Sequence, residues 1–221
     1  MLFKLYLVIF VLSLSSLNLV EAQNSRSAWV KKYVNKYKPH KEVTTLSPQD
    51  IDILITAARK LLTTTKRYDP SYFSLKYPSG DVPKDLGVCT DIIIRSLRSL
   101  NIDLQKRVYL DRKQNPKRYP KIWAKHVIDK NIDHRRVPNL MIYMDNYFQK
   151  LPLNNLFKAG DIVAYDLGGG ITHIGLVSNK KNSKNQALLI HHIGGTPQEE
   201  DVLKDWTIIG HYRIKKSRTN L

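Results

Sequence analysis

The hydrophobic period of this 221-residue chain changes once along its length, and that single change limits the folds open to it. Before about Leu151 the apolar residues recur at helical spacing; after it, β-branched runs alternate with glycine-rich or polar turns. Ser47-Pro48-Gln49-Asp50 reads as a helix start, with a capping hydroxyl, proline at the first helical position and an acid in the first turn. Ile51, Leu54, Ile55, Ala58, Leu61 and Leu62 then share one face, a core-facing stripe. Ile93, Leu97 and Leu100 repeat the spacing behind Cys89, and Pro138-Asn139-Leu140 opens a third apolar helix. Ser27 to Tyr37 is a weaker helical stretch closed by Pro39. Strands are expected over Asp161 to Tyr165, Thr172 to Ser178, Gln186 to Ile193 and Thr207 to Ile214. Helices first and strands second imply an α+β fold with an antiparallel sheet.

The N-terminus carries a second kind of signal. Lys4 precedes an apolar run from Leu5 to Val20, and Val20-Glu21-Ala22 offers small residues at the minus-three and minus-one positions of a cut after Ala22. Residues 1–22 are therefore expected to be a secretory signal peptide, leaving no stable membrane anchor once cut and a periplasmic or secreted protein. Residues 23–46 are expected to form an N-terminal segment and linker, and residues 47–221 one domain of ordinary size. Lys and Arg total 36 against 19 Asp and Glu, a formal net charge of +17. A field of that sign favours nucleic acid, anionic lipid or a carboxylate-rich cell wall, and charge alone does not choose among them. Export makes nucleic acid the least expected of the three.

Cys89 is the chain's one cysteine. Exported proteins usually use cysteine in disulfide pairs, so a solitary thiol calls for a reason. Gly87-Val88-Cys89-Thr90-Asp91 puts it at a helix N-terminus, where free N–H groups and the helix dipole favour a thiolate. His173 opens a strand after the turn Gly168-Gly169-Gly170, and His191 and His192 close the next strand. Antiparallel pairing brings His173 near one of them, and alternation allows only one of the two to face it. A thiol, an imidazole and a third polar group that fixes the tautomer make up a cysteine nucleophile. No H-E-x-x-H or paired C-x-x-C supports a metal hydrolase, and no cofactor or metal is expected.

The ordered blocks Tyr68-Asp69-Pro70-Ser71-Tyr72, Gly80-Asp81-Val82-Pro83, Gly87-Val88-Cys89-Thr90-Asp91, Asn131 to Leu140, Gly160-Asp161-Ile162-Val163, Thr172-His173-Ile174-Gly175 and Ile190-His191 with Gly194-Gly195 resemble the exported bacterial domain-of-unknown-function family 1287. That family is similar to the NlpC-type cell-wall peptidases. The resemblance implies a papain-like core with Cys89 as nucleophile, His173 as base and His191 as the orienting residue. His192 stands where asparagine is expected in this family, and Thr90-Asp91 replaces the usual serine after the nucleophile.

Around this centre, His134-Arg135-Arg136 could bind substrate carboxylates or form a structural salt-bridge cluster with Asp133. Tyr68 and Asp69 could line the cleft or brace their loop. His40, His126 and His211 are expected at the surface or in packing. The expectation is a monomeric cysteine peptidase or amidase acting on peptidoglycan stem peptides. A non-enzymatic basic module that binds cell wall or lipid, and an acyltransferase on the same core, are the competing readings. Rapid alkylation of Cys89 at neutral pH would set a catalytic thiol apart from a structural one.

Overall fold

The structure, a computed structural model, describes residues 27–32, 45–122, 127–154 and 156–215. The expected signal peptide, most of the 23–46 segment, His40 and His126 lie outside the described residues. No helix among the described residues is long and apolar enough to cross a membrane.

Helix α1 (Pro48–Thr64) starts as its sequence dictates: the Asp50 N–H donates to Ser47 Oγ, the Asp50 carboxylate accepts from the Ser47 N–H, and Pro48 occupies the first turn. Leu54, Ile55, Ala58 and Leu61 are buried, with Ile51 and Leu62 packed at the margin of the core.

Strands β1 (Arg67–Tyr68) and β2 (Leu86–Gly87) form a short parallel pair that the turn-rich sequence between them conceals. The intervening loop folds over its own apolar cluster of Phe73, Leu75, Val82 and Leu86. Two side chains pin it, Gln105 accepting from the Gly80 N–H at 2.9 Å and Asn131 from the Leu75 N–H at 3.0 Å. Because Tyr68 pairs with Gly87, this loop delivers Tyr68 beside the start of α2 (Cys89–Arg98).

Helix α2 is buried almost all round, with Ile92, Ile93, Ile94 and Leu97 each no more than 2% exposed. Helices α3 (Leu104–Gln114) and α4 (Val137–Tyr147) complete the helical layer, and a 3₁₀ turn over Asp133–Arg135 leads into α4.

The second layer is a six-stranded sheet of β3 (Gln149–Lys150), β4 (Ile162–Asp166), β5 (Thr172–Lys181), β6 (Ala187–His191), β7 (Gln198–Glu200) and β8 (Thr207–Arg213). Their order is β3-β8-β4-β5-β6-β7, and every pair is antiparallel. The chain is therefore α+β, as its period change implies. Ile162, Ala164, Ile174, Leu176 and Ile190 point to the helices. Val163, Tyr165, Val177 and Leu189 point the other way, under Leu203 and Trp206. Edge strand β7 is tied back to α1 by Arg59 and Glu199, which meet at 2.7 Å.

His211, expected at the surface or in plain packing, instead lies in a buried ion cluster. Its Nε2 is 2.8 Å from Asp161, which also binds Arg213 at 2.7 Å, and its Nδ1 faces the Pro152 carbonyl at 3.2 Å. Burial alone would raise the Asp161 carboxyl, yet hydrogen bonds from His211 and Arg213 hold it below the usual carboxylate range.

Candidate active site

Cys89 is the first residue of α2, at the floor of a cleft of about 220 Å³. The walls come from Tyr68, from Arg136-Val137-Pro138 at the start of α4, and from Gly170-Ile171-Thr172 at the entry to β5, with Trp29 and Val30 at the margin. Gly168, Gly169 and Gly170 all hold positive φ, so the turn that aims β5 at Cys89 needs residues without a side chain. Backbone N–H groups of Ile174, Thr90 and Cys89 itself point at the sulfur. Burial nevertheless dominates and pushes the thiol up to about 12, so the resting sulfur is protonated rather than the thiolate expected from the helix terminus. Tyr68 faces Cys89 and Asp91, and burial and those two acids push its hydroxyl up to about 12 as well, leaving a neutral donor on the cleft wall.

Asp91, two residues past Cys89, is structural. Asp91 accepts the Val88 N–H at 2.8 Å, capping α2, and takes the Arg135 guanidinium in a two-pronged contact at 3.2 and 3.0 Å. Arg135 also donates to the Ser71 carbonyl, and the Thr90 hydroxyl donates to the Arg135 carbonyl. One buried ion pair therefore fixes the helix start, the Tyr68 loop and the turn before α4 against one another.

On the opposite face of the sheet, His173 Nε2 lies 3.0 Å from His191 Nδ1, and His191 Nε2 lies 2.9 Å from Glu200 Oε1. The register explains this line. Gly175 pairs with His191 and Leu189 with Glu200, so His173, His191 and Glu200 descend diagonally across one face. Trp206 covers both imidazoles, with ring centroids 5.4 Å from His173 and 5.6 Å from His191. Burial, reinforced by His191 and His192, pushes His173 down to about 3, so its imidazole is neutral near pH 7.

No hydrogen bond joins Cys89 to His173 among the described residues. The sulfur sits at the amide of Ile174, the very next residue, on the helix-facing side. His192 takes the face opposite to His191: its ring meets Tyr68 edge-on at 5.0 Å and its Nε2 lies 3.1 Å from the Gly195 carbonyl. Its buried Nδ1 has no hydrogen-bond partner among the described residues.

With this geometry in hand, comparison with known proteins is informative. The profile described as "Domain of unknown function (DUF1287)" matches residues 55–214. This chain belongs to the DUF1287 family. A relative in Escherichia coli K12, described as "Uncharacterized protein YijF", is 46% identical over 159 residues, covering 71% of this chain and 78% of that one. A solved N-acetylmuramoyl-L-alanine amidase from Bacteroides uniformis is similar over 76% of this chain and 100% of its own, at 16% identity and a TM-score of 0.46, which is too loose to carry an inference.

Several residues of this DUF1287 chain sit differently from what the sequence suggests. Arg135 is not available to a substrate carboxylate, because its side chain is 2% exposed and bound to Asp91, a partner other than the Asp133 expected for a structural cluster. Asp133 instead binds Arg112 and, at 3.3 Å, Arg136. His134 is buried away from the cleft lining, and burial pushes it down to about 4. Asp69 closes its own loop, accepting the Ser71 N–H at 2.9 Å. Of the expected binding residues, Tyr68 and Arg136 line the cleft with accessible polar groups. Glu200 and Trp206 were missed: one lies on a three-residue polar edge strand and the other in a turn, and neither pattern signals a site. Among the described residues no group of three or more His, Cys, Asp or Glu could hold a metal.

Proposed function

We propose that this DUF1287 protein is an exported cysteine hydrolase with a papain-like, NlpC-type core that cleaves an amide bond in peptidoglycan stem peptides. The observation that carries the reading is the ring orientation of His173. Its Nε2 is committed to His191, while its Nδ1 makes no hydrogen bond among the described residues and belongs to the residue beside the amide that holds the Cys89 sulfur.

In this reaction His173 Nδ1 takes the thiol proton as sulfur attacks the scissile carbonyl carbon. The carbonyl oxygen becomes an oxyanion, stabilised by N–H groups at the start of α2. The C–N bond then breaks, His173 returns the proton to the leaving nitrogen, and water, deprotonated by His173, releases the acid from the acyl-enzyme. The proposal requires sulfur and imidazole, which share no hydrogen bond in the free protein, to meet when substrate fills the cleft, since catalytic hydrogen bonds are often loose in the unoccupied enzyme. Arg136 and Tyr68 are the groups that meet the substrate, Arg136 through a stem-peptide carboxylate. The +17 charge favours adsorption to a wall bearing such carboxylates.

The test is to incubate purified sacculi, and separately an unrelated protein, with the wild type and with Cys89→Ala in reducing buffer. Released stem-peptide fragments with new amino termini from the wild type alone support the proposal. No release by the folded wild type refutes the wall assignment.

A second arrangement is favoured by one observation: His192 lies on the Cys89 side of the sheet with a bare Nδ1. If His192 were the base, His192→Ala would abolish turnover and His173→Ala would not. The proposal requires the reverse.

A further inference from the structure

We propose that Glu200 is a positioning residue that sets the tautomers of His191 and His173 and so leaves the Nδ1 of His173 free to accept the Cys89 proton. This deepens the reading above and rests on it.

The argument is an inventory of protons. A carboxylate only accepts, so the contact at 2.9 Å requires the proton of His191 to be on Nε2. Burial holds His191 below its ordinary range, and a neutral ring protonated on Nε2 has a bare Nδ1. That nitrogen can only accept, so the contact at 3.0 Å requires His173 to carry its proton on Nε2. His173 is neutral too, and its Nδ1 is then the basic atom. Without Glu200 nothing among the described residues fixes the first step. The pair could then turn over, with His191 Nδ1 donating and His173 protonated on Nδ1, where it could no longer accept a proton.

The neighbouring strand residue shows what a structural glutamate looks like here. Glu199 faces the helices, binds Arg59, Ser178 and Lys180, and has a side chain only 7% exposed. Among the described residues the Glu200 carboxylate has no partner but the neutral His191, and its side chain is 47% exposed. A carboxylate that stands in solvent and touches one buried imidazole contributes little to holding the strand. Its one specific effect is on the proton it receives.

The experiment uses purified protein labelled with ¹⁵N-histidine, in the wild type, Glu200→Leu and Glu200→Gln. Long-range ¹H–¹⁵N spectra at pH 7 report which nitrogen of each ring is protonated. The wild type should show His191 and His173 both protonated on Nε2. Glu200→Leu should show His173 partly or wholly protonated on Nδ1, with kcat on sacculi lower by roughly ten- to a hundredfold, as for outer-shell partners of histidine, and KM little changed. Glu200→Gln, whose carbonyl still accepts, should keep the wild-type tautomers and recover most of the rate. If Glu200→Leu leaves both rings as in the wild type, the proposal is overturned whatever the activity. If the spectra behave as stated but no variant, the wild type included, acts on sacculi, the hydrolase reading fails and the tautomer assignment stands.

Discussion

At the scale of single residues, the Cys89 thiol and the His173 imidazole, the pair the proposed reaction uses, are both neutral at rest. Burial raises Cys89 to about 12 and lowers His173 to about 3, so no thiolate–imidazolium pair is stored in the empty cleft. Iodoacetamide should therefore label native Cys89 more slowly at pH 7 than a free cysteine, with a rate still rising above pH 9. A rate that plateaus below pH 7 would mean that the pair is already ionised. Slow alkylation thus ceases to separate a catalytic thiol from a structural one, and turnover has to decide. Cys89→Ala should remove activity at a stability cost of about 1–2 kcal/mol, checked by thermal melting beside the assay. With His173 as the proposed base, the acid limb of kcat/KM should lie well below pH 6.5, because burial holds its imidazole neutral down to about 3. A limb near 6.5 would place an exposed histidine in that role.

At the scale of elements, Gly175 shows how closely the two histidine strands are matched. It pairs with His191, and a methyl group there would sit 2.8 Å from the buried Leu189 side chain. Gly175→Ala should cost ~1–3 kcal/mol by overpacking and displace His191, read as a lower melting temperature together with a changed His191 ring spectrum. An unchanged melt and spectrum would mean that Leu189 yields freely. The elements that sequence revealed are those with strong local chemistry: the Ser47 cap, the Cys89 helix start, the glycine turn before β5 and the four long strands. Strands β1, β2, β3 and β7 escaped because two or three residues carry no period, and β7 is polar throughout. That one of His191 and His192 lies beside His173 was legible, since alternation and pairing are local rules, while the choice of His191 came from the family resemblance. The Asp91–Arg135 pair was not, because it joins residues 44 apart and only folding selects the partner.

At the scale of the whole molecule, the buried histidines tie stability to pH. His134 and His173 have folded values near 4 and 3, and His191 and His192 are also lowered, against an unfolded value of about 6.5. Below 6.5 the unfolded chain binds protons that the folded chain refuses, so stability must fall as pH falls through that window. Glu199, which Arg59, Ser178 and Lys180 hold near 2 against the burial that would raise it, adds a further loss below about 4.5. Melting temperature should accordingly start to drop near pH 6.5 and drop faster below 4.5. A flat profile down to 4.5 would show that the histidines titrate freely.

The sheet order has a consequence in time. Strand β8, the last among the described residues, lies between β3 and β4, and Trp206 just ahead of it covers both imidazoles. Long-range pairings of this kind form late. Until β8 arrives, β3 has no strand to pair with, β4 has an open edge, and the indole that covers the two imidazoles is not yet fixed.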